Sequence, residues 1–354
     1  MAPTSSNAEA SEPKTQQKKV AFALQGGGSH GAFTWGVLDR ILEDGRIDIE
    51  GISGTSAGGL NAVALCQGMI KGGKEGARAE LKKLWKSVSD LAVGSPLKPL
   101  PFEGSVGHYN LDHSPGYLSL HMIQSLLSPY ELNPLNINPF RGFVEEFFDF
   151  KALNAFNEIK LFLCATQVST GKLRLFHTED LSVDTVLASA CLPHLFQAVR
   201  IDDEYYWDGG FVGNPAIYPL IDSCSTSDIV VVQIRVMRRH TLPMTAIQIH
   251  DRHAEITYNA CLMREMRSID LITRLIDKGL LDSQKVKRLF MHLIRDEPLF
   301  SSLEMSSALN ASWDFLTFLF HQGRSCATTW LASHFDDIGV CTSASIYKDF
   351  VSDH

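Results

Sequence analysis

Two apolar runs, each ending at a glycine-rich turn, restrict what this chain can fold into more than any other feature. Val20-Ala21-Phe22-Ala23-Leu24 stops at Gly26-Gly27-Gly28, and Ile47, Ile49 and Ile52 lead into Gly54-Thr55-Ser56-Ala57-Gly58. A run without polar alternation suits a strand buried on both faces, as in a parallel sheet covered by helices. After each turn the apolar spacing becomes helical. Phe33, Val37, Leu38, Ile41 and Leu42 form the first stripe, with Gly45 as its C-cap, and the second runs to about Met69. Strand, glycine turn and helix laid down twice predict an α/β fold of three layers (αβα) with a mostly parallel sheet.

Lys74 to Ser89 reads as a further amphipathic helix. Residues 94–139 hold seven of the fourteen prolines, the texture of an irregular, lid-like insert with short helices. Arg141–Phe150 is predicted helical, Ile159–Thr166 and Leu173–His177 as strands, Asp184–Ala190 as a helix, and Tyr205–Trp207 and Ile229–Val236 as extended. From about Thr245 the pattern is helical to roughly Phe335. The expected organisation is a disordered tail (1–18), an α/β domain (19–245) and a mainly helical C-terminal region (246–354). Within that region, Trp313–Phe320 reads as core or as a cover for a pocket, otherwise as an interfacial or oligomer contact.

The net charge of −8 excludes nucleic acid as a main partner, because phosphate neutralisation needs a basic field. Seven scattered cysteines without a C-x-x-C pair argue against a disulfide or zinc framework. No run approaches the ~18 apolar residues of a spanning helix, and the N-terminal stretch lacks the apolar core of a Sec signal, so a cytoplasmic protein is expected. Contact with a membrane from outside the bilayer stays open, as do non-Sec export and oligomeric state. Residues 237–295, with eleven Lys/Arg against six Asp/Glu, are either a solvated helical face or a surface for anionic headgroups.

Gly54-Thr55-Ser56-Ala57-Gly58 matches G-x-S-x-G, the nucleophile elbow. A serine between strand and helix turns so sharply that larger neighbours collide, hence Gly54 and Gly58, and the following helix points its positive end at the hydroxyl. Gly26, Gly27 and Gly28 allow backbone N–H groups to converge as an anion-binding nest, the requirement of an oxyanion hole. With Gly31 they also satisfy G-x-G-x-x-G, and Asp48 or Glu50 stands where a ribose-binding acid belongs. The glycine run alone leaves acyl transfer and dinucleotide binding open. The dinucleotide reading, an oxidoreductase, leaves Ser56 and its glycines unexplained. Trp207-Asp208-Gly209-Gly210 reads as a turn that puts a carboxylate at a strand end, and such a group can serve a serine nucleophile as proton acceptor.

Together these blocks resemble the patatin-like phospholipase family. Its glycine-rich oxyanion loop corresponds to Gly26–Gly31, its nucleophile to Ser56 and its Asp-Gly-Gly aspartate to Asp208. Ala188–Pro193 with Phe196 looks like its small-residue segment, and Asn214-Pro215 is similar to its Asn-Pro. The resemblance covers roughly residues 19–235 with all blocks in family order. It implies acyl-ester hydrolysis by a Ser56–Asp208 dyad, of phospholipase A or lysophospholipase type, with no cofactor and no metal. A neutral lipid or a polyester such as a hydroxyalkanoate presents the same carbonyl to the same machinery. The departure is His30, where the family's loop usually carries Arg or Lys; an imidazole supplies that charge only when protonated. A Ser-Asp-His triad through His240, His250 or His253 is the mechanistic rival. Lipid binding without hydrolysis is another reading. Cys66 and Cys191 read as buried small residues and Ser29 as a turn residue; His177 and His194 are assigned no role.

Overall fold

The computed structural model describes residues 17–99 and 109–352. The expected tail lies outside them except for its last two residues. Of these, Lys18 opens the first strand and donates through Nζ to the carbonyls of Phe335 and Ile338 at 3.0 and 2.9 Å.

The two glycine-punctuated units form as the sequence predicts. They comprise β1 (Lys18–Leu24), α1 (Gly31–Asp44), β2 (Ile47–Thr55) and α2 (Ala57–Leu91). Gly45 closes α1 at φ 77°, and α2 is broken where Gly72 and Gly73 leave helical geometry, so two helical patterns give two pieces. Next come α3 (Pro115–Leu126), α4 (Pro129–Leu132) and α5 (Pro139–Phe147), each opened by a proline in the first turn, where its missing N–H is no loss. The short α6 (Phe150–Asn154) leads into β3 (Lys160–Gln167) and β4 (Leu173–His177). After α7 (Val183–Ser189), the pair β5 (Val199–Ile201) and β6 (Glu204–Asp208) forms. The α/β part ends with α8 (Tyr218–Ser223) and β7 (Asp228–Gln233). Part of the proline-rich stretch, 100–108, lies outside the described residues; the remainder is more regular than expected, because α3 is a helix of 12 residues.

The C-terminal region carries α9 (Ala246–Asp277), α10 (Glu297–Ser302) and α11 (Trp313–His334). One expectation is corrected here. Within the stretch read as helical, Phe290–Arg295 forms β8, which pairs in parallel with β7. The run FMHLIR is short and its polar centre hides its burial. His292 is fully buried because Asp228 and Ser343 satisfy its two ring nitrogens at 3.1 and 2.8 Å.

The sheet runs β5-β6-β3-β2-β1-β7-β8, with β4 on β3, and the pairs from β3 to β8 along this order are parallel. Its two faces have separate cores. Val20, Phe22 and Leu24 of β1 pack with α1, α2 and α11, while Ala21 and Ala23 face Leu262 and Met266 of α9. This is the double burial that the unalternated run demanded. α11 lies so close on α1 that a Cβ on Gly36 would overlap the Phe320 carbonyl. Phe315, Leu316 and Leu319 are fully buried, so this aromatic segment is core.

Candidate active site

The register of β3 brings the sequence-predicted residues together. β2 pairs with β3 as far as Thr55↔Cys164, and β6 begins its pairing at Ala165↔Asp208. β4 occupies the other edge of β3 over Phe162–Thr166. β6 therefore takes over the edge that β2 vacates, and Asp208 stands beside the turn at Ser56.

Ser56 has φ 54° and ψ −122°, a strained left-handed conformation for a residue with a side chain. Its N–H donates to Ser189 Oγ at 3.1 Å, and the Thr55 hydroxyl donates to the Gly213 carbonyl at 2.6 Å, anchoring the turn from both sides. Beyond the turn, α2 directs its N-terminal end at the hydroxyl, favouring negative charge there. The turn is also tightly packed, since a Cβ on Gly58 would overlap the Leu24 carbonyl and one on Gly54 would lie 2.7 Å from the Gly58 carbonyl.

Asp208 is 2% exposed. Burial pushes its carboxyl up to about 6, against the Gly210 N–H, the Ser56 hydroxyl and the Arg235 charge, which favour the anion. Gly210 donates to Oδ1 at 2.7 Å. The Asp208 N–H donates to the Cys191 carbonyl at 2.8 Å, and the Asp208 carbonyl accepts from Thr166 Oγ1 at 2.7 Å. The carboxylate thus has a fixed position, and it lines the same cavity as Ser56.

The glycine loop is clamped rather than loose. Gly26 N–H donates to Asn214 Oδ1 at 2.6 Å, so this glycine, expected among the oxyanion donors, has its donor occupied. Gln25 holds the base of the loop, with Oε1 accepting from the N–H groups of Ile234 and Arg235 and Nε2 donating to the Asn214 carbonyl. The N–H groups of Gly27 and Gly28 have no acceptor among the described residues. Gly28 has φ 58°, and a Cβ there would overlap the Ala308 carbonyl, so glycine is required twice over. Gly26–Gly28, Ser56, Asp208 and Asn214 line a cavity of about 350 Å³ whose walls include Leu120, Leu192, Leu195, Phe211, Met305 and Leu309. Such a volume accepts a small ligand or an acyl chain.

His30 does not supply a loop cation. It is buried against Phe300 and Phe315, with Nε2 bonded to Ser307 Oγ at 2.7 Å. Burial, then the nearby charge of Arg235, pushes it down to about 3. The residue that sequence reasoning missed is Arg235, just beyond β7, whose Nε donates to the Gly26 carbonyl at 3.3 Å. Its only signal was a cation near the end of a mostly apolar run, Ile229–Val236. Ser189 belonged to a recognised block, but its role against the Ser56 backbone had no signature of its own.

His250 and His253 line the cavity from α9, but no histidine hydrogen-bonds to Ser56 or Asp208 among the described residues. Burial raises the thiols of Cys66 and Cys191 to about 12, so neither is a nucleophile. Glu50 is no ribose ligand. Burial would raise its carboxyl, but the N–H groups of Ser225 and Thr226, at 2.6 and 2.9 Å, outweigh that and bring it to about 2.

The family model for patatin-like phospholipase matches residues 22–221. No curated protein matches the chain. Among solved structures, VipD from Legionella pneumophila aligns with a TM-score of 0.35 at 16% identity, over 87% of this chain and 67% of its own. Two structures of the ExoU–SpcU complex from the type III secretion system of Pseudomonas aeruginosa give TM-scores of 0.33 and 0.31 at 14% and 16% identity. Each covers 90% of this chain, which spans only 54% and 60% of the chains it matches there.

Proposed function

The chain belongs to the patatin-like phospholipase family, and from that premise we propose that it hydrolyses lipid acyl esters with a Ser56–Asp208 dyad. One observation carries the reading: a strained serine and a buried carboxylate facing one largely apolar cavity, beside two glycine N–H groups without acceptors.

Ser56 Oγ attacks the ester carbonyl carbon while its proton passes to Asp208. The N–H groups of Gly27 and Gly28 receive the oxyanion, each such donor lowering the barrier by about 3 kcal/mol. Collapse of the tetrahedral intermediate breaks the bond to the alcohol, which leaves with the proton from Asp208. Water then attacks the acyl-enzyme with Asp208 as base, and the carboxylic acid is released as Ser56 recovers its proton. No histidine is required in this scheme, because Asp208 itself serves as the base.

Helix α3 supports work at a lipid surface. Tyr117, Leu120, His121 and Gln124 wall the cavity, while Leu118, Met122 and Leu126 of the same helix are exposed, Leu126 by 76%. Tyr130, Leu132 and Leu135, in the segment that follows α3, are exposed as well. Among the described residues no helix is long and apolar enough to cross a membrane, so contact would be peripheral. The basic excess of 237–295 is a weaker candidate for that contact. Arg239 and Arg252 are taken by Glu255, Arg274 by Asp270 and Arg288 by Asp277.

Fluorophosphonate labelling, followed by hydrolysis of a phospholipid, a triacylglycerol and a polyhydroxyalkanoate, tests the reading. Wild type should be labelled at Ser56 and release acid from at least one substrate; Ser56→Ala should do neither. Equal hydrolysis by Ser56→Ala would overturn it.

A further inference from the structure

Arg235 is an exception among the arginines held close in this fold. Arg239 has Glu255 at 2.6 Å, Arg78 has Asp39 at 2.9 Å and Arg46 has Asp44 at 2.6 Å. No carboxylate lies within ion-pair distance of Arg235 among the described residues. The acids nearby are committed elsewhere: Asp208 to the Gly210 N–H, Glu255 to Arg239 and Arg252, and Asp251 to His250 at 3.6 Å. A guanidinium remains charged in a protein, and leaving such a charge without a counter-ion is costly.

Its hydrogen-bonding capacity is only partly used. Nε donates to the Gly26 carbonyl, Nη1 meets the Met305 sulfur, and the guanidinium stands 5.1 Å from the centre of the Tyr258 ring. Nη2 has no hydrogen-bond acceptor among the described residues, and the side chain lines the cavity that holds Ser56. The first bond fixes the group beside the oxyanion loop. The remaining N–H groups form a planar donor edge of the kind that matches phosphate oxygens.

We infer that Arg235 is an anion-recognition residue of this pocket, placed to take a phosphate oxygen of an ester substrate while Ser56 attacks the neighbouring acyl carbonyl. The inference rests on the hydrolase reading given above and deepens it. Arg235 then separates phosphate-bearing acyl esters from neutral glycerides and polyesters that share the same carbonyl. It also contributes the positive charge that His30, neutral and buried, does not.

The test compares two soluble substrates with one acyl chain, an octanoyl lysophospholipid and octanoylglycerol, on wild type, Arg235→Gln and Arg235→Lys. Losing the Gly26 contact should slow both reactions in Arg235→Gln. Loss of a charge-assisted bond to phosphate should lower kcat/KM for the lysophospholipid by roughly a further tenfold to a hundredfold, mainly through KM. Arg235→Lys, which keeps the charge without the fork, should fall between. Glycerol phosphate should inhibit wild type and lose potency against Arg235→Gln. Circular dichroism melts and Ser56 labelling check that the variants fold, and Arg235→Lys carries the test if Arg235→Gln does not. An unchanged ratio between the two substrates in a folded variant overturns the anion role while leaving the hydrolase reading intact. Hydrolysis of neither substrate by wild type, with no labelling at Ser56, overturns both.

Discussion

Asp208 sets a pH threshold that the proposed chemistry must obey. Burial carries its carboxyl from an ordinary value near 3.8 to about 6, which disfavours the anion by about 3 kcal/mol at 1.36 kcal/mol per pKa step. The proposed base works only as the carboxylate. Activity is therefore present above the threshold and lost as pH falls through it, to about half at pH ~6 and about a tenth at pH ~5. The Gly210 N–H, the Ser56 hydroxyl and the Arg235 charge oppose burial and keep the threshold below neutrality. The assay is kcat/KM against pH for a soluble octanoyl ester, which removes lipid-surface effects. Wild type should show an acid limb centred near 6. Asp208→Asn should lose roughly 10²–10⁴ in rate, the range of general base catalysis, and the limb with it, while its circular dichroism stays that of wild type. A limb centred below about 4.5, the range of an unperturbed carboxyl, or wild-type turnover by Asp208→Asn, would refute the reasoning.

Three further predictions concern the loop, the packing and the lipid-facing surface. Gly28→Ala forces a side chain onto a φ of 58° and into the Ala308 carbonyl; kcat should fall roughly a hundredfold, as for a lost oxyanion donor, and unchanged kcat would place the oxyanion elsewhere. Gly36→Ala drives a methyl into the Phe320 carbonyl. The denaturation midpoint should fall by an amount corresponding to about 1–3 kcal/mol, and an unaltered midpoint would mean that α1 and α11 separate without cost. Met122→Ser with Leu126→Ser removes two exposed apolar side chains from α3. Co-sedimentation with phosphatidylcholine vesicles should weaken at all salt concentrations, and a variant that binds as wild type does would remove α3 from the contact.

The local features were legible from sequence because local sterics impose them. An unalternated apolar run must be buried on both faces, and β1 is, with Phe22 against one core and Ala23 against the other. A serine forced to φ 54° needs glycine neighbours, which is why Gly54 and Gly58 marked Ser56 before any coordinates. The later features are not local. β8 escaped notice because the burial of His292 depends on Asp228, 64 positions earlier, and on Ser343, 51 positions later. The basic segment 237–295 left a solvated face and a headgroup surface open, because pairs such as Arg239 with Glu255 and Arg288 with Asp277, 16 and 11 positions apart, form only in the folded chain.

What the amino-acid order determined by itself is the set of groups proposed for the chemistry and the turns that present them: Ser56 after a strand, glycines free of side chains, and Asp208 at a strand end. Tertiary structure alone decided which of them meet. β3 holds Thr55 and Asp208 at successive positions of one edge, Asn214 takes the donor of Gly26, and burial leaves His30 neutral while Arg235 brings the charge. Register, burial and the field at a carboxylate are sums over groups distant in the chain, so no window of sequence contains them.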